Sequence, residues 1–92
     1  MKKIAVHVIV HGVVQGVGFR YFARQQAQSL GLGGFVRNLP DGTVEALIEG
    51  EESQVKIMLG HLRQGPFGGR VDRLEVEPVE YTGSYHGFNI SF

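Results

Sequence analysis

The 92-residue sequence contains no cysteine and no tryptophan, and its charges cancel. Without cysteine there is no disulfide framework, no thiolate nucleophile and no cysteine metal site. Nine basic and nine acidic side chains give a net charge of zero, which argues against the basic surface of a nucleic-acid-binding protein. No apolar run approaches the roughly 20 residues of a membrane-spanning helix. We therefore expect a cytoplasmic monomer that binds neither nucleic acid nor membrane, with a single domain over residues 1–92.

The apolar residues change period along the chain, which locates strands and helices. They alternate over 4–11, as in a strand, and recur at helical spacing over 19–30. The turn signal Pro40-Asp41-Gly42 and the stop at Gly65-Pro66 separate further segments. In chain order, the predicted segments are a strand at 4–11, a helix at 19–30, strands at 35–39 and 43–49, a helix at 51–64, and strands at 71–77 and 88–92.

The order of these segments is βαββαβ followed by a short C-terminal strand. It predicts an α+β protein with a ferredoxin-like split βαβ sandwich, in which an antiparallel sheet of order 4-1-3-2 carries two helices on one face. In this topology the first two strands run in the same direction. The loop after strand 1 and the end of strand 2 therefore lie at the same edge of the sheet. Arg20 and Asn38 are expected to share a site there.

The segment GVVQGVGFR, residues 12–20, combines a glycine-rich loop with a helix N-terminus. Glycine adopts positive φ without penalty, so such a loop can turn several N–H groups toward one point. The unpaired donors of the helix start favour an anion, and an arginine adds a charged fork that fits phosphate. The segment predicts a phosphate cradle, although its spacing alone equally suits an ordinary turn. The residues predicted to hold phosphate are Gln15, Gly16, Val17, Gly18, Phe19 and Arg20.

Two segments resemble the signatures of the acylphosphatase family. The first is VQGVGFR, residues 14–20; the second is GFVRN, residues 34–38, followed by Gly42-Thr43-Val44 and Gly50. The resemblance extends over residues 4–92. It implies hydrolysis of the carboxyl-phosphate bond of acyl phosphates, giving a carboxylate and inorganic phosphate, which would also compete for the site. It further implies that Arg20 and Asn38 are the catalytic residues and that neither a metal nor another cofactor is needed.

The chemistry of these two side chains agrees with that implication. An acyl phosphate has a carboxylate leaving group, so catalysis reduces largely to holding the phosphoryl group and aiming a water. Asn38 offers a carbonyl and an NH₂ group, which can orient that water. A carboxamide does not accept a proton near neutral pH, so a phosphate oxygen of the substrate is our hypothesis for the proton acceptor.

Other binding classes share the predicted topology. RNA-recognition domains stack bases on sheet aromatics, but the strand at 43–49 has none. Metal chaperones of this topology need a cysteine pair. A regulatory domain that binds a phosphate-sized anion without turnover stays open at this point.

The remaining titratable groups suggest no metal site. His7 and His11 lie about 13 Å apart on one strand, at ~3.3 Å per residue, too far to share a metal. Glu49, Glu51 and Glu52 are interpreted as a charge cluster at the start of the second helix. Arg37 is expected to point to the opposite sheet face from Asn38.

Overall fold

The computed structural model describes residues 2–92. It contains five strands and two helices in the order β1 (Lys3–Val13), α1 (Phe19–Ser29), β2 (Gly33–Asn38), β3 (Val44–Glu51), α2 (Glu52–Gln64), β4 (Arg70–Val79) and β5 (Phe88–Ile90). The strands form one sheet of order β4-β1-β3-β2-β5. The predicted 4-1-3-2 arrangement is therefore confirmed, with β5 added beside β2.

Both helices pack on the same face of the sheet. Alternate residues of the strands point toward them, as the period of two requires. The buried cluster that joins sheet and helices includes Val6, Val8 and Val10 of β1, Val44, Ala46 and Ile48 of β3, Phe19, Ala23 and Ala27 of α1, and Val55, Met58 and Leu62 of α2. Full burial of a side chain of this size is worth about 1.5–3 kcal/mol, so this face holds the sandwich together.

The sheet is mixed, whereas the sequence predicted an antiparallel one. β5 pairs with β2 in parallel, in the register Gly34↔Phe88 and Val36↔Ile90. After β4, which is antiparallel to β1, residues 80–87 carry the chain back to the far edge, so β5 enters in the direction of β2. Phe88 is buried there, and the Ser91 N–H extends the ladder by donating to the Val36 carbonyl at 2.8 Å.

The second helix begins at Glu52, one residue later than the sequence predicted. Glu49 lies in β3, in agreement with the strand predicted at 43–49, but it is only 3% exposed and does not belong to a charge cluster at the start of α2. Its Oε2 accepts hydrogen bonds from the Thr82 N–H at 3.2 Å and the Thr82 hydroxyl at 3.3 Å. Glu51 ends β3, and only Glu52 belongs to the first turn of the helix.

A bulge lies opposite the end of β1, just before the cradle segment. The register of β1 against β4 shifts between His11 and Gly12. Gly12 has φ 136°, and a Cβ there would lie 2.1 Å from the Arg70 carbonyl oxygen, so a larger residue cannot occupy the position. A bulge bends a strand and increases its twist. Because His11 pairs with Arg73 and Gly12 with Val71, the extra residue is Asp72, and the strand that bends is β4, opposite the end of β1.

β4 runs to Val79 and includes Pro78, whereas the sequence predicted a strand over residues 71–77. β4 is an edge strand, where a residue without an N–H is tolerated.

In the described chain, neither helix has the length and apolar composition needed to cross a bilayer.

Candidate active site

The loop between β1 and α1 depends on two glycines in the left-handed conformation. Gly16 has φ 75° and Gly18 has φ 76°. A Cβ added at either position would meet nothing within 4 Å. The need for glycine here is therefore conformational rather than steric, because other residues pay for positive φ in strain.

The backbone amides of residues 15–21, which we call the cradle, lack protein partners. The first hydrogen bond of α1 runs from the Phe22 N–H to the Gly18 carbonyl at 3.0 Å. Within residues 2–92, no backbone carbonyl accepts from any amide of the cradle. No side chain caps this helix start, and its first turn carries no acidic residue. Unpaired donors at the positive end of a helix dipole form an anion-binding site.

A cavity of about 110 Å³ lies against the cradle and brings the two predicted catalytic residues together. Arg20 and Asn38 both line it, although α1 carries one and β2 the other. Its wall is completed by Val14, Gly16, Gly18, Phe19 and Tyr21. Of the residues predicted to hold phosphate, the side chains of Gln15 and Val17 do not reach this wall.

Arg20 is the second residue of α1 and is half-buried. Its Cζ lies 4.9 Å from the centroid of the Phe92 ring, in cation–π contact. No carboxylate in residues 2–92 forms an ion pair with Arg20. The donors of the guanidinium are therefore not engaged by a carboxylate of this part of the chain and can bind a ligand.

Asn38 is the last residue of β2, and its carbonyl oxygen has no protein partner. Oδ1 is the one buried side-chain polar atom of residues 2–92 without a hydrogen bond. An unpaired buried acceptor costs about 1–3 kcal/mol. Because native proteins pair nearly all such groups, an exception beside a cavity points to a partner that the site receives during function.

Gln15 has a role that its sequence position did not reveal. Its Nε2 donates to the Leu39 carbonyl at 2.7 Å and to the Thr43 carbonyl at 2.8 Å. These bonds attach the cradle loop to the turn that follows Asn38. The side chain of Gln15 thus fixes the distance between the two halves of the site, while its backbone N–H remains part of the cradle.

The turn after Asn38 is stabilised from within. Asp41 Oδ1 accepts from the Thr43 hydroxyl at 2.6 Å and from the Thr43 N–H at 3.0 Å. These two hydrogen bonds hold the pKa of the Asp41 carboxyl below its ordinary value of 3.8. The Leu39 N–H also donates to the Thr43 carbonyl at 2.9 Å. The turn whose carbonyls accept from Gln15 is therefore held by hydrogen bonds of its own.

Arg37 lies on the opposite side of the sheet from the cavity. Its Nε donates to Glu45, which also pairs with His7 Nε2 at 2.7 Å. Partial burial raises the pKa of the Glu45 carboxyl, but the hydrogen bonds from His7 and Arg37 outweigh it, and the pKa falls below its ordinary value of 4.5.

His11 does not share a partner with His7, because it pairs with Glu75. In the part of the chain described, no three His, Asp or Glu side chains come together as metal ligands would.

Comparison with known proteins identifies the family to which this site belongs. The family model described as Acylphosphatase matches residues 6–90. The chain belongs to the acylphosphatase family. It is 48% identical over 90 residues to the acylphosphatase of Thermococcus kodakarensis, covering 98% of each chain. The resemblance of the two signature segments is thereby confirmed.

Solved structures agree. The chain superposes on the crystal structure of acylphosphatase from Bacillus subtilis with a TM-score of 0.93 and 35% identity, covering 97% of this chain and 99% of that one. It also matches full-length HypF in its phosphate- and nucleotide-bound form, with a TM-score of 0.86 and 29% identity, but covers only 12% of that chain. The ferredoxin-like fold is confirmed, and the chain is an enzyme that hydrolyses acyl phosphates.

Proposed function

We propose that the cavity between the cradle and Asn38 is the catalytic site of this acylphosphatase. Cradle amides and Arg20 hold the phosphoryl group, and Asn38 orients the attacking water. The observation that supports the proposal is that unpaired hydrogen-bond donors and an unpaired acceptor lie around the same cavity of about 110 Å³. On one side are donors without acceptors, and on the other is the buried acceptor Oδ1 of Asn38.

The cradle supplies positive potential where the reaction places negative charge. In phosphoryl transfer, charge spreads over the three equatorial oxygens of the phosphoryl group. Amides at the start of α1 and the guanidinium of Arg20 are directed at this charge and need no reorganisation during the reaction. Contact with the Phe92 ring at 4.9 Å restricts the guanidinium further. Binding and transition-state stabilisation therefore use the same groups.

Asn38 acts on the nucleophile. Its Oδ1 accepts a hydrogen bond from the water, which turns a lone pair of the water toward phosphorus. The water oxygen bonds to phosphorus, the bond from phosphorus to the acyl oxygen breaks, and the carboxylate leaves with the electron pair. The proton released from the water passes to a phosphoryl oxygen, because the carboxamide is not basic enough to accept it. The products are a carboxylate and inorganic phosphate.

This scheme needs no metal, other cofactor or second subunit. The charge that a metal would supply comes from the cradle and Arg20, and both belong to the same chain as Asn38. We therefore propose a metal-independent monomer that acts on a phosphorus-containing anhydride and binds its product, inorganic phosphate, as a competitor.

The test separates water positioning from phosphate binding. Asn38→Ala should lower kcat for acetyl phosphate by roughly 10²-fold or more, the scale of one lost preorganised polar group. The inhibition constant of inorganic phosphate should change far less, since cradle and Arg20 remain. Asn89→Ala, at an exposed asparagine of β5, is the matched control and should behave as the parent.

Asn38→Asp sharpens the result. It preserves the shape but brings a negative charge beside the phosphoryl group, so it should be no more active than Asn38→Ala. Circular dichroism must show both variants folded, because Asn38 also precedes the turn at Pro40. Parental kcat in folded Asn38→Ala, or high activity of Asn38→Asp with a carboxylate-like pH dependence, would refute water positioning.

A further inference from the structure

A second cavity lies at the other end of β2 and β3, away from the cradle. Its volume is about 240 Å³, against about 110 Å³ at the cradle. Glu49, in its wall, follows Val44 by five residues of β3, or about 17 Å at ~3.4 Å per residue. Val44 faces the helices, so Glu49 lies on the sheet face without helices. The cavity is thus separate from the catalytic site in both position and face.

Glu49 gives this cavity an unusual chemical feature, a buried carboxylate with one oxygen unused. The residue is 3% exposed, and only Oε2 is hydrogen-bonded, to Thr82. In residues 2–92, no cationic side chain pairs with Glu49. Oε1 is not sealed off, because Asn38 Oδ1 is the single fully buried, unpaired side-chain atom of that part of the chain. Oε1 is therefore not fully buried, and Glu49 forms part of the cavity wall.

Burial of an unpaired carboxylate is costly, so this arrangement needs a reason. The Thr82 bonds explain why the side chain is anchored, and they leave half of its hydrogen-bonding capacity free. A carboxylate in a partly water-excluded wall attracts a cation more strongly than one in open water. Glu51 adds a second negative charge to the wall, and among residues 2–92 Lys3 contributes the single positive one. The cavity therefore favours a positively charged ligand.

Two tyrosine rings supply the rest of the wall. Tyr81 and Tyr85 both line the cavity and are 37% and 38% exposed. The Lys3 ammonium already lies 5.9 Å from the centroid of the Tyr81 ring, which shows that this ring can face a cation. Tyr85 packs against Phe35 at a centroid distance of 6.2 Å, so its ring is held in place. Aromatic faces attract organic cations and also cover their apolar bodies.

We propose that this cavity binds a small organic cation, a primary ammonium or guanidinium compound. The cationic group would donate to Oε1 of Glu49, and its apolar body would lie against Tyr81 and Tyr85. An anion is disfavoured by the two carboxylates. A calcium or magnesium ion requires about six oxygen ligands, which this wall of glycines and aromatic rings does not offer. This site is independent of the proposed catalytic residues.

The experiment is an NMR titration of the ¹⁵N-labelled protein with n-butylammonium. The amides of Gly33, Gly50 and Gly83 report on the cavity, and those of Gly16 and Gly18 report on the cradle. We expect saturable shifts in the first group only. n-Butanol, which has the same body without the charge, should bind more weakly by about tenfold or more, the scale of a charge-assisted hydrogen bond. Titration with inorganic phosphate should instead shift the amide signals of Gly16 and Gly18.

Three variants test the assignment of the partners. Glu49→Gln keeps an oxygen for Thr82 but removes the charge, so it should weaken n-butylammonium binding by about tenfold or more. Glu52→Gln is the matched control outside the cavity wall and should bind as the parent. Tyr85→Leu keeps the carboxylate and should weaken binding severalfold; it decides the question if Glu49→Gln does not fold. Linear, unsaturable shifts, equal binding of n-butanol, or parental affinity in Glu49→Gln would overturn the proposal.

Discussion

The two ends of β2 and β3 each bury a polar side-chain group, but the hydrogen bonding of the two groups differs. Asn38 Oδ1, beside the cradle, is fully buried without a partner in residues 2–92. Glu49, at the other end, has two hydrogen bonds from Thr82 to one of its oxygens. The bonded group anchors residues 80–87 to the sheet. The unbonded one lies opposite unpaired amides, where a reacting water and a phosphoryl group would complete it.

The means of fixing the two ends also differ. The far end is secured by hydrogen bonds from a loop to a strand. The catalytic end is secured by Gln15, which joins the cradle loop to the carbonyls of Leu39 and Thr43. The proposed catalytic groups, Arg20 and Asn38, take no part in these links. Separate residues therefore perform the positioning and the chemistry, which makes the following predictions distinguishable.

The largest effect is expected at Arg20, on both turnover and phosphate binding. Arg20→Ala should lower turnover of acetyl phosphate by about 10³-fold or more, the scale of an arginine that stabilises phosphoryl transfer. Competition by inorganic phosphate should weaken as well, because the guanidinium contacts both ground and transition states. Arg20→Lys should restore little, since an ammonium lacks the bidentate fork.

The control for this prediction is Arg63→Ala, at an exposed arginine in the last turn of α2. Steady-state phosphate release and phosphate inhibition are measured for all three variants. Parental turnover and phosphate affinity in Arg20→Ala would require the phosphate site to be placed elsewhere.

An intermediate effect is expected at Gln15, on both geometry and stability. Gln15→Ala removes two hydrogen bonds between the cradle loop and the turn, which should lower kcat/KM by roughly tenfold. The free energy of unfolding should fall by about 1–2 kcal/mol. Gln25→Ala, at an exposed position of α1, is the matched control. If Gln15→Ala kept parental kcat/KM, Gln15 would not position the two halves of the site.

A smaller effect is expected from pH, through Asp41. Its pKa in the folded protein lies below the ordinary value of 3.8, so its contribution to stability is complete above that value. The contribution is lost as the pH falls through the lower folded pKa. Asp41→Asn should therefore reduce the difference in unfolding free energy between pH 6 and strongly acidic solution. Urea denaturation across this range measures it, and an unchanged pH dependence would contradict the role assigned to Thr43.

No effect is expected from removal of divalent metals. Hydrolysis of acetyl phosphate in the presence of a chelator should equal the untreated rate, because amides and Arg20 supply the positive charge. Loss of activity that a divalent ion restores would overturn the proposed mechanism.

The sequence predicted the parts of the molecule that depend on local patterns. Alternation over 4–11 and helical spacing over 19–30 reflect which face each side chain buries, and both segments formed as expected. The meeting of Arg20 with Asn38 followed from topology alone, since β1 and β2 run in the same direction. The signatures around these residues supplied the family.

Other features depend on distant contacts that no local pattern encodes. Gln15 was expected to hold phosphate, and its side-chain hydrogen bonds to carbonyls 24 and 28 positions away could not be read from the loop. Glu49 was interpreted as part of a charge cluster at a helix start, and neither its burial nor its hydrogen bonds to Thr82, 33 positions away, could be read from the acidic run. The parallel pairing of β5 depends on the path of residues 80–87, which carry no periodic signal.

The central position of β1 in the sheet has a consequence for how the enzyme folds. This strand pairs with β3 and β4, so Ile9 lies opposite both Glu45 and Glu75. Such pairings close long loops, and the entropy of closure is lost before the contacts compensate for it. Domains rich in non-local pairings fold slowly, over milliseconds to seconds. Because β1 precedes both β3 and β4 in the chain, it cannot acquire its neighbours on both sides during synthesis until residues 70–79 have been made.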